Sequence, residues 1–154
     1  MIKIVANRLR MPKVFKFHPP PIPSAGVYFF QSDEGVDYEV RFGRKQSDIL
    51  SVNIVFGVLN DEYDGEEYVL TNKGEFYSIM ATIKAIIEDF RSKNPNIHHF
   101  EFAGEPTDQR EEQDGPTKRT KIYQRWAKRI FPISEWKHEL DRNKVTMERI
   151  QKPG

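Results

Sequence analysis

The sequence predicts a single α+β domain over residues 1–154: an antiparallel β-meander, then helix, strand, helix and strand, with both helices packed on one face of the sheet. Three observations carry this expectation. Up to residue 70, short apolar stretches alternate with polar residues, and their connections are too short for crossover helices. From Phe76 to Phe90 the apolar residues recur at helical spacing. After a strand at 97–102, a second helical pattern covers 117–130.

Taken in order, the chain begins with five of its ten prolines: Pro12, Pro19, Pro20, Pro21 and Pro23. Proline fixes φ and restrains the residue before it, so residues 12–23 read as extended. This segment fits either a polyproline ligand for an aromatic groove or a stiff connector between an early strand and the body of the domain. The connector is preferred, because the run has no second, spaced proline motif. Residues 27–30 are short, aromatic and apolar, and Ser32-Asp33-Glu34-Gly35 reads as a turn. Tyr38, Val40 and Phe42 then alternate with Asp37, Glu39 and Arg41, the pattern of a half-solvated strand. Leu50, Val52, Ile54, Phe56 and Val58 share a face of the next strand, and Val55 opposite them predicts a place near the middle of the sheet. A polar loop at 60–65 precedes a fourth short strand at 66–70.

The first helix is the clearest element. Asn72 followed three residues later by Glu75 matches a capping pattern, and Asn94-Pro95 ends the run. Phe76, Ile79, Met80, Ile83, Ile86, Ile87 and Phe90 form its apolar stripe, read as packing on the sheet in preference to a cofactor box. Phe100 and Phe102 face the same way on the strand that follows. Residues 104–116 carry five carboxylates against one arginine, a net −4, among glycines and prolines, and read as an exposed acidic loop. The second helix reverses the sign: Lys118, Arg119, Lys121, Arg125, Lys128 and Arg129 with no acid, and Tyr123, Trp126, Ala127 and Ile130 on its buried side. Pro132 stops it, and the tail reads as a hairpin turning at Asp141-Arg142-Asn143.

Composition narrows the chemistry by exclusion. Lys and Arg number 24 against 23 Asp and Glu, so the bulk charge of +1 selects no partner. The absence of cysteine excludes disulfides, thiolate metal sites and a cysteine nucleophile. No apolar run approaches the roughly 20 residues of a membrane helix, and residues 1–13 lack a signal-peptide core, so the expectation is a cytoplasmic protein with no membrane partner. His98 and His99 are adjacent on a strand, which predicts opposite-facing rings that do not chelate one ion, with His98 a core histidine beside Phe100. Asp37, Glu39 and Arg41 look superficially like a metal-dependent nuclease signature, which needs a further acid from another strand. The acids of 104–116 do not follow a calcium-loop spacing. No Walker loop, GxGxxG, GxSxG or HExxH is present. No catalytic residue, metal ligand or cofactor is assigned.

The basic helix is therefore the candidate site. Lys118, Arg119, Lys121, Arg125, Lys128 and Arg129 resemble an electrostatic footprint for phosphates, against the simpler reading of a solvated or self-paired face. The run TNKGEFYSIMATIKAIIEDF, then FEFAGE, then KRTKIYQRWAKRI resembles a group of small uncharacterised bacteriophage proteins. The matching positions are Thr71, Gly74, Thr82, Ile83, Ile86, Ile87 and Phe90, then Phe100, Phe102 and Ala103, then Arg119, Tyr123, Arg125 and Lys128. The resemblance covers roughly residues 50–131, and this chain has a longer acidic insertion before its basic helix. It implies phage or prophage provenance and carries over no catalytic residue. The expected function is a non-enzymatic phage accessory protein that binds a macromolecule in the cytoplasm of the infected cell: a host-takeover or anti-defence inhibitor acting on a host or phage protein, or a nucleic-acid binder through the basic helix 117–130. Its alternatives are a virion structural component with a proline-rich arm, and a metal-dependent nuclease.

Overall fold

The computed structural model describes residues 13–22, 26–58, 75–103 and 118–151; the side chains of Val58, Ala103, Lys118 and Arg119 fall outside it. Among the described residues, seven strands form one sheet: β1 (Phe17–His18), β2 (Val27–Gln31), β3 (Asp37–Arg44), β4 (Ser51–Val58), β5 (His99–Ala103), β6 (Trp136–Asp141) and β7 (Lys144–Arg149). Their order is β1-β2-β3-β4-β5-β7-β6. The described residues also form two helices, α1 (Phe76–Lys93) and α2 (Lys118–Ile130). All pairings are antiparallel except β4 with β5. A parallel pair needs a crossover, and α1 lies between these two strands in the chain. The strand expected at 66–70, the acidic loop 104–116 and Asn72 lie outside the described residues.

One sheet face makes the core. Tyr28, Phe30, Tyr38, Val40, Phe42, Val52, Ile54, Phe56, Phe100, Phe102, Val145 and Met147 are all buried on it. Phe42 stacks on Phe90 of α1 with ring centroids 4.1 Å apart, while Phe56 and Phe102 meet Tyr123 of α2 at 5.4 and 5.5 Å. The register aligns Phe42 with Ile54, and Ile54 with Phe102, so both helices rest on the same side. The other side is open: Phe29 is 44% exposed and Val55 55%. Val55 thus stands on a central strand, as its pattern predicts, yet faces solvent.

The apolar stripe of α1 buries Ile79, Met80, Ile83, Ile86, Ile87 and Phe90 as spaced, with Phe76 only partly covered and Thr82 buried in addition. Thr82 is tolerated there because its Oγ1 accepts the Phe15 N–H at 2.9 Å and its hydroxyl donates to Ser78 O at 2.7 Å. The capping expectation needs correction. The helix starts at Phe76, so Glu75 occupies the cap position, not the third residue of the helix, and makes no side-chain cap hydrogen bond. At the far end the Asn94 N–H reaches the carbonyls of Phe90 and Arg91, where the Asn94-Pro95 signal falls.

Phe15 is buried, and Phe17 and His18 pair with Phe30 and Phe29, so β1 is an early strand on the edge of the sheet. β1 thus lies inside the stretch 12–23 that the sequence reads as an extended connector. The chain enters β2 through Gly26, where an added Cβ would sit 2.2 Å from Phe42 O, so only glycine allows the Phe42 N–H to Gly26 O bond of 2.7 Å. Gly35, at φ 84, closes the β2–β3 turn by donating to Ser32 O. The tail hairpin turns at Arg142–Asn143 between β6 and β7.

Candidate basic face on α2

Helix α2 is fastened by its apolar side. Tyr123, Trp126, Ala127 and Ile130 are buried, and the Thr120 hydroxyl donates to Asn143 Oδ1 at 2.8 Å. Tyr123 and Trp126 are therefore core residues, as their helical positions imply, and not platforms for a stacked base. Lys121, Arg125, Lys128 and Arg129 are exposed. Lys121, Arg125 and Lys128 stand at positions i, i+4 and i+7, one stripe along the helix. The Arg129 guanidinium lies 4.8 Å from the Trp126 ring centroid, which holds that side chain against the helix by a cation–π contact. Lys118 and Arg119 open the helix, their side chains undescribed.

The contrast with α1 is informative. There Lys93 pairs with Asp89 at 2.9 Å and Lys84 with Glu88 at 3.7 Å, both four residues apart. On α2 no acid is available at such spacing, and among the described residues Lys121, Arg125 and Lys128 have no ion-pair partner. Lys128 and Arg129 in the last turn favour the helix dipole, which accounts for two of the cations without a ligand. From Lys121 to Lys128 the helix rises about 10 Å. Over that length duplex DNA carries about six phosphates.

The two histidines depart from expectation. His98 precedes β5, and its side chain is 39% exposed, so it is no core residue. His98 Nδ1 lies 2.9 Å from Glu148 Oε1 and His99 Nδ1 2.5 Å from Glu148 Oε2, so adjacent residues share one carboxylate. The opposite-face rule applies only inside a regular strand, and His98 lies outside it. A carboxylate only accepts, so the Nδ1–H of each ring donates to Glu148. The network continues from His99 Nε2 to Glu101 Oε2 at 3.3 Å, from Glu101 to Lys45 Nζ at 3.0 Å, and from His98 Nε2 to Asp48 Oδ2 at 3.6 Å. Burial raises the Glu101 carboxyl, but hydrogen bonds from Lys45 and His99 and the nearby Lys144 charge more than offset it and hold it below the ordinary range. Glu148 is likewise pushed up by burial and pulled further down by both imidazoles. Each carboxylate is thus committed to neighbours, and among the described residues no three His, Asp or Glu side chains are placed to hold a metal ion.

On β3, Glu39 Oε1 accepts from Arg41 Nε at 2.6 Å, and Asp37 accepts from Gln31 Nε2 at 3.0 Å. Across the sheet Glu39 faces Phe29 and Gly57, and Arg41 faces Val27 and Val55. Among the described residues, neither neighbouring strand places a further acid beside Glu39. No protein-family model matches the chain, and searches of curated proteins and of solved structures find no match either. None of the described helices is long and apolar enough to cross a membrane.

Proposed function

We propose that this chain is a non-enzymatic phage accessory protein acting in the infected cell by binding a macromolecule, with the cationic face of α2 as its contact surface. The observation that carries the reading is the set of exposed Lys121, Arg125 and Lys128 without ion-pair partners among the described residues, on a helix whose opposite side is fully committed to the core. The rigid helix sets the spacing of these cations, and counterions released from the phosphates supply the driving force. Nucleic acid is the partner this chemistry favours. Phage provenance rests on the resemblance of the motifs.

A second reading, a host-protein partner, is favoured by the open sheet face, where exposed Phe29 and Val55 flank the Glu39–Arg41 pair. Affinity purification from infected cells, with half the lysate treated with nuclease and both halves analysed by mass spectrometry, separates the two. Loss of all partners on nuclease treatment is the outcome the first reading expects. One protein retained in the treated half would transfer the function to the sheet face.

A further inference from the structure

A cleft of about 590 Å³, lined by Arg91, Glu135, Trp136, Arg149, Ile150 and Gln151, opens beyond the C-terminal end of α2. Its two arginines are held in an unusual way. Arg91 reaches from α1 and donates Nη1 to Ile130 O, the last carbonyl of α2, at 3.1 Å. Arg149 on β7 donates Nη1 to Pro95 O at 2.9 Å. The guanidinium carbons lie 5.0 and 5.1 Å from the centroid of the same indole, Trp136, and Arg91 also covers Phe131 at 5.0 Å. Trp136 is itself buried, so this aromatic floor does not move to meet a ligand.

Each arginine therefore spends one terminal nitrogen on a main-chain carbonyl and holds its guanidinium carbon within 5.1 Å of an aromatic ring centroid. Among the described residues, Nε and Nη2 of Arg149 and Nη2 of Arg91 have no hydrogen-bond partner. Arg91 Nε has no acceptor there either, but burial shuts it off from the cleft, so Arg91 offers Nη2 alone. Among the described residues, no carboxylate lies within ion-pair distance of either guanidinium; Glu135 lines the cleft and its charge acts on Arg91 only from further away. Burial and the Arg149 charge both lower the pKa of Arg91, as expected for two cations brought together without a counter-ion.

We infer that this cleft is a site for a tetrahedral oxyanion, a phosphate group on a small ligand or free phosphate, bound between the Nε–Nη2 edge of Arg149 and Nη2 of Arg91. A guanidinium edge offers two parallel N–H donors, so the Arg149 edge together with Arg91 Nη2 matches three oxygens, which a phosphate has and a carboxylate lacks. The aromatic contacts have already removed much of the side-chain freedom that binding would otherwise cost. The volume suits a small molecule.

The test titrates the full chain with inorganic phosphate at constant ionic strength and follows the arginine Nε–H and tryptophan indole resonances by NMR. A saturable shift of the Arg149 and Trp136 signals is expected, with acetate giving none. Arg149→Gln, which spares the bond that closes α2, weakens phosphate binding at least about tenfold, the worth of one charge-assisted hydrogen bond. Arg149→Lys keeps the charge but lacks the planar edge, and also weakens it. A parallel arm uses a nucleoside 5′-monophosphate; tighter binding than phosphate assigns the site to an organic phosphate, and equal binding to the free anion. Charge reversal of Arg125 and Lys128 leaves the phosphate shift intact, which keeps this inference separate from the proposed role of α2. Acetate equal to phosphate, a non-saturable shift, or unchanged binding in Arg149→Gln would overturn the assignment.

Discussion

Arg142 holds φ 56 in the turn between β6 and β7, the sole non-glycine residue in the left-handed region among those described. That conformation strains an L side chain by about 1–2 kcal/mol. Glycine would relieve it while losing about 0.5–1 kcal/mol more entropy on folding. Arg142→Gly is therefore expected to stabilise the protein by about 0.5–1 kcal/mol, seen as a higher denaturant midpoint at unchanged m. A lower midpoint would mean that the arginine side chain itself holds the hairpin. Other residues were legible only in part. Tyr123 and Trp126 declared themselves as core by position on a helix. Arg91 and Arg149 did not, because their meeting over Trp136 depends on α1 and β7 converging from distant parts of the chain.

Among the elements, α1 was readable because a stripe of four isoleucines, a methionine and two phenylalanines repeats over about four turns, and periodicity accumulates with length. β1 was not, since two residues carry no period, and its place in the sheet follows from Phe15 anchoring to Thr82. The His98–Glu148–His99 network escaped for a related reason: it depends on the register of β5 against β7, in which His99 faces Glu148. That network makes a pH prediction. Glu101 and Glu148 sit below their ordinary value of 4.5 in the folded state, so the unfolded chain binds protons more readily than the native one on acidification. Their contribution is complete above pH 4.5 and is lost as pH falls through the lower native values. The thermal midpoint should drop across that acid window, and Glu101→Gln should flatten the drop while starting from a lower midpoint. An identical pH profile in the variant would remove Glu101 from the account.

For the molecule as a whole, a net charge of +1 conceals a separated arrangement. Both helices cover one face of the sheet, and α2 turns Lys121, Arg125 and Lys128, unpaired among the described residues, outward from the core that fixes it. The division into α and β elements was legible because local patterns carry it, whereas the parallel β4–β5 pairing depends on where a crossover lands and leaves no local trace. The basic stripe and the absence of acids within it were visible in sequence, but the exposure of Lys121, Arg125 and Lys128 belongs to the fold. The central claim is that this stripe binds a polyanion. The most direct test is the affinity for a labelled oligonucleotide as a function of salt, in the native protein and in the variant carrying Arg125→Glu and Lys128→Glu. With about four phosphate contacts, binding should weaken about a hundredfold between roughly 50 and 200 mM salt. The variant should lose detectable binding at the higher salt while keeping its thermal midpoint. Binding that ignores salt, or survives in the variant at native strength, would contradict the claim.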